Sequence, residues 1–147
     1  MTELVFPSKE WFRAAAAALD ADAGVLAAGK DFGPVTVGTV IEKGDGLASD
    51  FCLYADLVPG KPAKLQFPDD EDELEELEPQ YLVRVPHKVA RRVLEAAMAG
   101  TPQDPLGPIL NREVKLQGDL QRLVRFAGQH RGAGKGVLPK LPTKLLR

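Results

Sequence analysis

The sequence is short of the residues that most reactive chemistry needs. Cys52 is its one cysteine, and His87 and His130 are its two histidines. A single cysteine excludes an intramolecular disulfide and suits a reducing compartment. Two histidines and one cysteine at distant positions lack the spacing of metal ligands. No apolar run approaches the roughly 20 residues that a membrane-spanning helix needs. The first residues carry no basic region followed by an apolar stretch, so they do not read as a secretory signal. The final residues, Lys144 to Arg147, are not the Ser-Lys-Leu peroxisomal address. These absences together lead to the expectation of a cytoplasmic chain without metal, cofactor or catalytic residue. A net charge of −2 over 147 residues argues against a protein built to coat nucleic acid.

What is present is uneven. Acid is concentrated in one run, Asp69, Asp70, Glu71, Asp72, Glu73, Glu75, Glu76 and Glu78. The stretch after His130 carries Arg131, Lys135, Lys140, Lys144 and Arg147 with no acid at all. Such asymmetry places two different surfaces in two different surroundings. Leu74 and Leu77 inside the acidic run suggest a turn of helix resting on the body with its acids in water. A docking surface for a basic partner is the alternative use of the same residues. Calcium loops need a turn glycine among their carboxylates, and this run has none. The glycines around Lys135 fail the phosphate-loop pattern, because Gln129 and Gly136 stand where Gly and Ser/Thr are required. Cys52 with His87 is a conceivable thiol and base, but a cysteine inside a strand is usually a small buried hydrophobe.

Apolar periodicity divides the chain into elements. Ser8 is placed to cap a helix carrying Trp11, Ala15 and Leu19, broken near Gly24, with a further turn to Lys30. Val35 to Ile41, Phe51 to Leu57 and Ala63 to Phe67 read as an antiparallel meander. Its turns are Gly44-Asp45-Gly46 and Val58-Pro59-Gly60-Lys61, the latter of type II. Tyr81, Val83 and Val85 form a fourth strand ended by Pro86. A helix with Val89, Val93, Leu94, Ala97 and Met98 follows, stopped by Gly100. Asp104-Pro105 opens a short helix with Leu106, Ile109 and Leu110. Val114 to Leu116 is a fifth strand, and Gly118-Asp119 caps a last helix with Leu120, Leu123 and Val124. Beyond Gly128 an irregular tail is expected, so the chain divides into a folded module over 1–128 and a basic tail over 129–147. The fold class is α+β, a five-stranded, mainly antiparallel sheet with its helices on one face.

The C-terminal half carries a resemblance. Tyr81 to Pro86 (Tyr-Leu-Val-Arg-Val-Pro) leads into the helix from His87. Asp104-Pro105 follows, and then Glu113 to Leu120 (Glu-Val-Lys-Leu-Gln-Gly-Asp-Leu). This order resembles the sterol carrier protein 2 domain over about Phe32 to Phe126. The resemblance implies helices and sheet enclosing a hydrophobic tunnel. It also implies a lipid or fatty-acyl ligand (fatty acid, acyl-CoA, sterol or phospholipid) bound without chemistry. Candidate ligand-lining residues are then Trp11, Phe12, Leu53, Leu94, Met98, Ile109, Leu110, Leu120, Leu123 and Phe126, although a filled core would use the same residue types. Leucines and lysines alternate loosely in the tail, which suits a lid over the tunnel or transient contact with an anionic membrane. Pro139 and Pro142 oppose a continuous helix there. The competing reading is a protein-interaction domain that uses the acidic 69–78 run over a filled core.

Overall fold

A computed structural model describes residues 3–44, 46–99, 111–129 and 137–146. A five-stranded sheet runs through it in the order β4-β3-β2-β5-β6. The strands are β2 (Val35–Glu42), β3 (Phe51–Leu57), β4 (Lys64–Gln66), β5 (Tyr81–Pro86) and β6 (Lys115–Gln117). The β2–β3, β3–β4 and β5–β6 pairs are antiparallel, and β2–β5 is parallel. The expected meander forms β2, β3 and β4. Gly60 takes positive φ in its second turn, and the Lys61 amide donates to the Val58 carbonyl at 3.1 Å.

The parallel pair follows from where the meander ends. Once β3 and β4 have built outward on one side of β2, the chain must recross the sheet to reach the other side. It crosses behind, through the acidic helix α3 (Glu71–Glu76). Asp70 caps this helix by accepting from the Glu73 amide, and the Glu73 carboxylate reaches back to the amide of Asp69. Leu74 is fully buried beneath it against Val40, Cys52 and Leu82. Gly38 makes room for that contact, since a Cβ there would stand 3.0–3.1 Å from Pro79, Leu74 and Leu82. Gln80 and Thr36 then exchange side-chain-to-backbone bonds at 2.9 and 3.0 Å, which pins the start of β5 beside β2.

Among the described residues, four helices lie on the front face. They are α1 (Lys9–Asp20), α2 (Ala23–Phe32), α4 (His87–Met98) and α5 (Leu120–Gln129). Ser8 caps α1 as expected, its hydroxyl accepting from the Trp11 amide at 3.1 Å. The break after α1 falls at Ala21-Asp22 rather than at Gly24. The Asp22 carboxylate caps Val25 at 3.0 Å and starts a full ten-residue helix instead of a single turn. The helices expected on one face are thus joined by α3 on the other.

The tail differs from its expected irregularity. Thr143–Leu145 forms β7, parallel to β1 (Leu4–Phe6), after a 3-10 turn at Leu138–Lys140. The Trp11 indole N–H donates to the Thr143 hydroxyl at 2.9 Å, 132 residues away. Leu141 and Leu145 pack on the cluster of Phe6, Trp11, Ala15, Ile41, Val85, Val89 and Leu94. The stop at Gly100, the short helix with Leu106, Ile109 and Leu110, the turn residue Asp45 and the glycines around Lys135 lie outside the described residues.

Candidate functional site

The front face of the sheet is filled at one end and open at the other. Strand alternation sends Val35, Val37 and Ile41 of β2 and Tyr81, Val83 and Val85 of β5 to this face. Around Ile41 and Val85 the space is taken up by rings. Phe6 meets Trp11 edge-on at 4.8 Å, Trp11 meets Phe12 at 5.0 Å, and Phe12 stacks on Phe51 at 5.4 Å. Around Val35, Val37 and Val83 the facing residues of α2 are Val25, Ala28 and Gly29. Short side chains on both layers cannot meet across the roughly 10 Å that separates packed layers. A cavity of about 450 Å³ remains between the sheet, α2 and α5.

Its walls are almost wholly apolar. Val25, Leu26, Ala28, Gly29 and Phe32 come from α2, and Leu123 and Phe126 from α5. Val35, Val37, Leu57, Tyr81, Val83 and Leu116 come from the sheet, and the turn from Val58 to Lys61 forms one lip. The polar groups at the edge are mostly engaged. The Asp20 carboxylate accepts from the Ala63 amide at 3.0 Å. The Tyr81 hydroxyl donates to the Asp119 carbonyl at 3.1 Å, leaving its ring as wall. Leu26 and Leu57, both lining the cavity, are exposed to solvent as large apolar residues. Such a surface has little to offer a polar reactant. It suits an apolar ligand, each methylene of which contributes about 0.8 kcal/mol gross on burial.

The residues singled out from sequence separate between the two ends. Leu123 and Phe126 line the cavity. Trp11 and Leu94 are buried in the filled cluster, with Phe12 and Met98 packed against it. Leu53 is buried in β3, and Leu120 is exposed on α5. Ile109 and Leu110 lie outside the described residues. Sequence reasoning missed the contribution of α2. The available signal was Val25-Leu-Ala-Ala-Gly29, apolar nearly all round yet almost without bulk, next to a valine-rich strand.

The groups considered for chemistry are used elsewhere. Cys52 is buried on the back of the sheet. Burial pushes its thiol up to about 11, with the carboxylates of Asp50, Glu71 and Asp70 adding to the shift, so the thiolate is scarce at neutral pH. His87 is also buried, at the start of α4. Its Nδ1 lies 2.8 Å from the Gly44 carbonyl, and a carbonyl only accepts, so Nδ1 is the donor in this bond. Several acids of the 69–78 run are engaged locally. Asp70 and Glu73 cap α3, and Glu71 and Glu75 pair with Arg84 of β5. Among the described residues no group of three or more His, Cys, Asp or Glu could hold a metal ion. No helix among them is long and apolar enough to cross a membrane.

No family model matches the sequence, and no curated protein matches it. Solved structures do resemble it. The crystal structure of sterol carrier protein 2 has a TM-score of 0.64 at 14% identity, over 91% of this chain and 97% of that one. The solution structure of a conserved hypothetical protein from Thermus thermophilus, described as possibly a sterol carrier protein, also has a TM-score of 0.64. Its identity is 12%, over 93% of this chain and 90% of that one. Apo sterol carrier protein 2 from Yarrowia lipolytica has a TM-score of 0.55 at 11% identity, over 87% and 92% of the two chains. At such identities the likeness is one of fold.

Proposed function

From the sterol carrier protein 2 fold and an apolar cleft at the open end of its sheet, we propose that this chain binds and transfers a lipid without chemically altering it. The observation that carries this reading is the cavity of about 450 Å³ walled by Val, Leu, Ala and Phe side chains. It falls within the range of ligand sites, roughly 300–1,000 Å³. Methylenes are alike, so specificity for one acyl chain over another is expected to be broad. The ligand class is an amphiphile with an apolar body, which covers fatty acid, acyl-CoA, sterol and phospholipid.

The ligand-holding body is assigned to residues 1–128. The tail over 129–147 then closes the filled cluster through Leu141, Thr143 and Leu145, at the end away from the cavity. Its leucines at 141 and 145 turn inward while Lys140 and Lys144 are exposed. Any contact with an anionic membrane through this segment is therefore electrostatic rather than insertive, and weakens with salt. A reducing cytoplasm, where Cys52 stays a free thiol, is the matching location.

Mass spectrometry of an organic extract of natively purified protein, with titration by a fluorescent fatty acid, tests the reading. Co-purified lipid, or saturation near one probe per chain, is the expected result. An empty extract together with no saturable binding would contradict it.

A further inference from the structure

One wall of the cleft is attached differently from the other. α2 runs on from α1 with its own aspartate cap and buries Ala28. α5 has its outer side in water, where Leu120 and Val124 are exposed. Its first turn meets the body at the corner formed by Tyr81 and Asp119. There the Tyr81 hydroxyl holds the Asp119 carbonyl, and Asp119 in turn caps the Arg122 amide at 3.1 Å.

Phe32, the last residue of α2, is the meeting point. Its ring packs edge-on against Phe126 of α5 at 4.9 Å and lies 6.3 Å from Tyr81. The Arg122 guanidinium stands 4.1 Å above the same ring. It also donates to the Phe32 carbonyl. That carbonyl belongs to the last turn of α2, where helix carbonyls lack intrahelical partners and carry partial negative charge. One cation therefore clasps both the ring and the backbone end of the opposite wall. Phe32, Leu123 and Phe126 all line the cleft, so parting Arg122 from Phe32 would part its walls.

The chain entering α5 is built to turn. Gly118 has φ +135, where side chains rarely go, and a Cβ there would collide with the Tyr81 ring. Outward rotation about this point pushes into no packed layer among the described residues, because Leu120 and Val124 on the outer side of α5 are already exposed.

We propose that α5 is the gate of the cleft, turning at Gly118 and held shut by Arg122 on Phe32, and that release of this latch sets the rate of ligand exchange. The ligand role of the gate rests on the lipid-binding reading above; the latch itself does not. Arg122 is a positioning residue, since it lies outside the cavity lining. The stack and the charge-assisted bond together make the closed state favoured by at least about tenfold over a version without them.

Arg122→Gln and Arg122→Lys separate this from a merely structural role. Hydrogen exchange followed by mass spectrometry needs no ligand. In Arg122→Gln the amides of α5 are expected to exchange about tenfold faster, with Arg122→Lys intermediate. The amides of α4 should keep their protection, which shows that the body remains folded. Stopped-flow with cis-parinaric acid should then give entry and exit rates that rise together, so that affinity changes far less than either rate. Unchanged exchange in α5 would overturn the latch. Faster exchange in α5 with unchanged probe rates would overturn its control of ligand passage. If the wild-type protein binds no probe, the lipid-binding reading fails and takes the gate's purpose with it, while the exchange data still decide whether Arg122 holds α5 closed.

Discussion

The two ends of the front face share one sheet, one strand register and the same kind of helix cover, yet one is packed and the other is open. At the packed end Phe6, Trp11, Phe12 and Phe51 interlock, and Leu4, Leu141 and Leu145 are drawn in to finish the cluster. At the open end α2 presents Ala28 and Gly29 to Val35, Val37 and Val83. The difference is one of side-chain volume rather than polarity. An apolar pattern directs a helix to a sheet, but bulk decides whether the gap closes. The packed end supplies stability, which lets the other end leave unfilled a space that a ligand can occupy.

Substitutions at the packed end should break this division most strongly. Trp11→Ala removes the central ring and its bond to Thr143 and is expected to cost about 3–5 kcal/mol in denaturant unfolding. If the division is real, the remaining folded molecules should bind a fatty-acid probe with near-normal affinity. A loss of affinity out of proportion to the loss of fold would join the two ends into one site.

Behind the sheet, Leu74→Ala should cost about 2–5 kcal/mol by leaving a cavity under α3. This substitution sharpens the comparison, because Leu74 touches neither end of the front face directly. Unfolding midpoints should fall while probe binding in the folded fraction is retained. A selective loss of binding would show that the back layer shapes the cleft.

Much of this arrangement was legible in the sequence, and the missing parts have common physical causes. Ser8, the Val58 to Lys61 turn, Pro86 and the Gly118-Asp119 step are local signals, and each marks the expected boundary. The pairing of β1 with β7 joins three-residue strands from opposite ends of the chain, and no local pattern encodes that register. The Ser8 helix divides at Asp22 because a side-chain cap outcompetes continuation, a choice that propensity over the alanine run conceals. The cavity was the hardest feature to see. Trp11, Phe12, Leu94 and Met98 have the residue types of a ligand wall, but they meet one another. Val25, Ala28 and Gly29 look like weak core, and their value lies in the space they leave.

Gly29 offers the most direct test. It lines the cleft on α2, and a Cβ added there meets nothing within 4 Å. A phenylalanine at this position should therefore enter the empty space without displacing the fold, and exchanging a helical glycine for it itself favours the helix by a few tenths of a kcal/mol. Titrating wild-type and Gly29→Phe protein with the same fluorescent fatty acid, beside their unfolding curves, is the decisive comparison. Lost or much weakened binding at equal or greater stability is the expected result. Undiminished binding by a stably folded Gly29→Phe protein would mean that ligand is held somewhere other than between α2, α5 and the sheet.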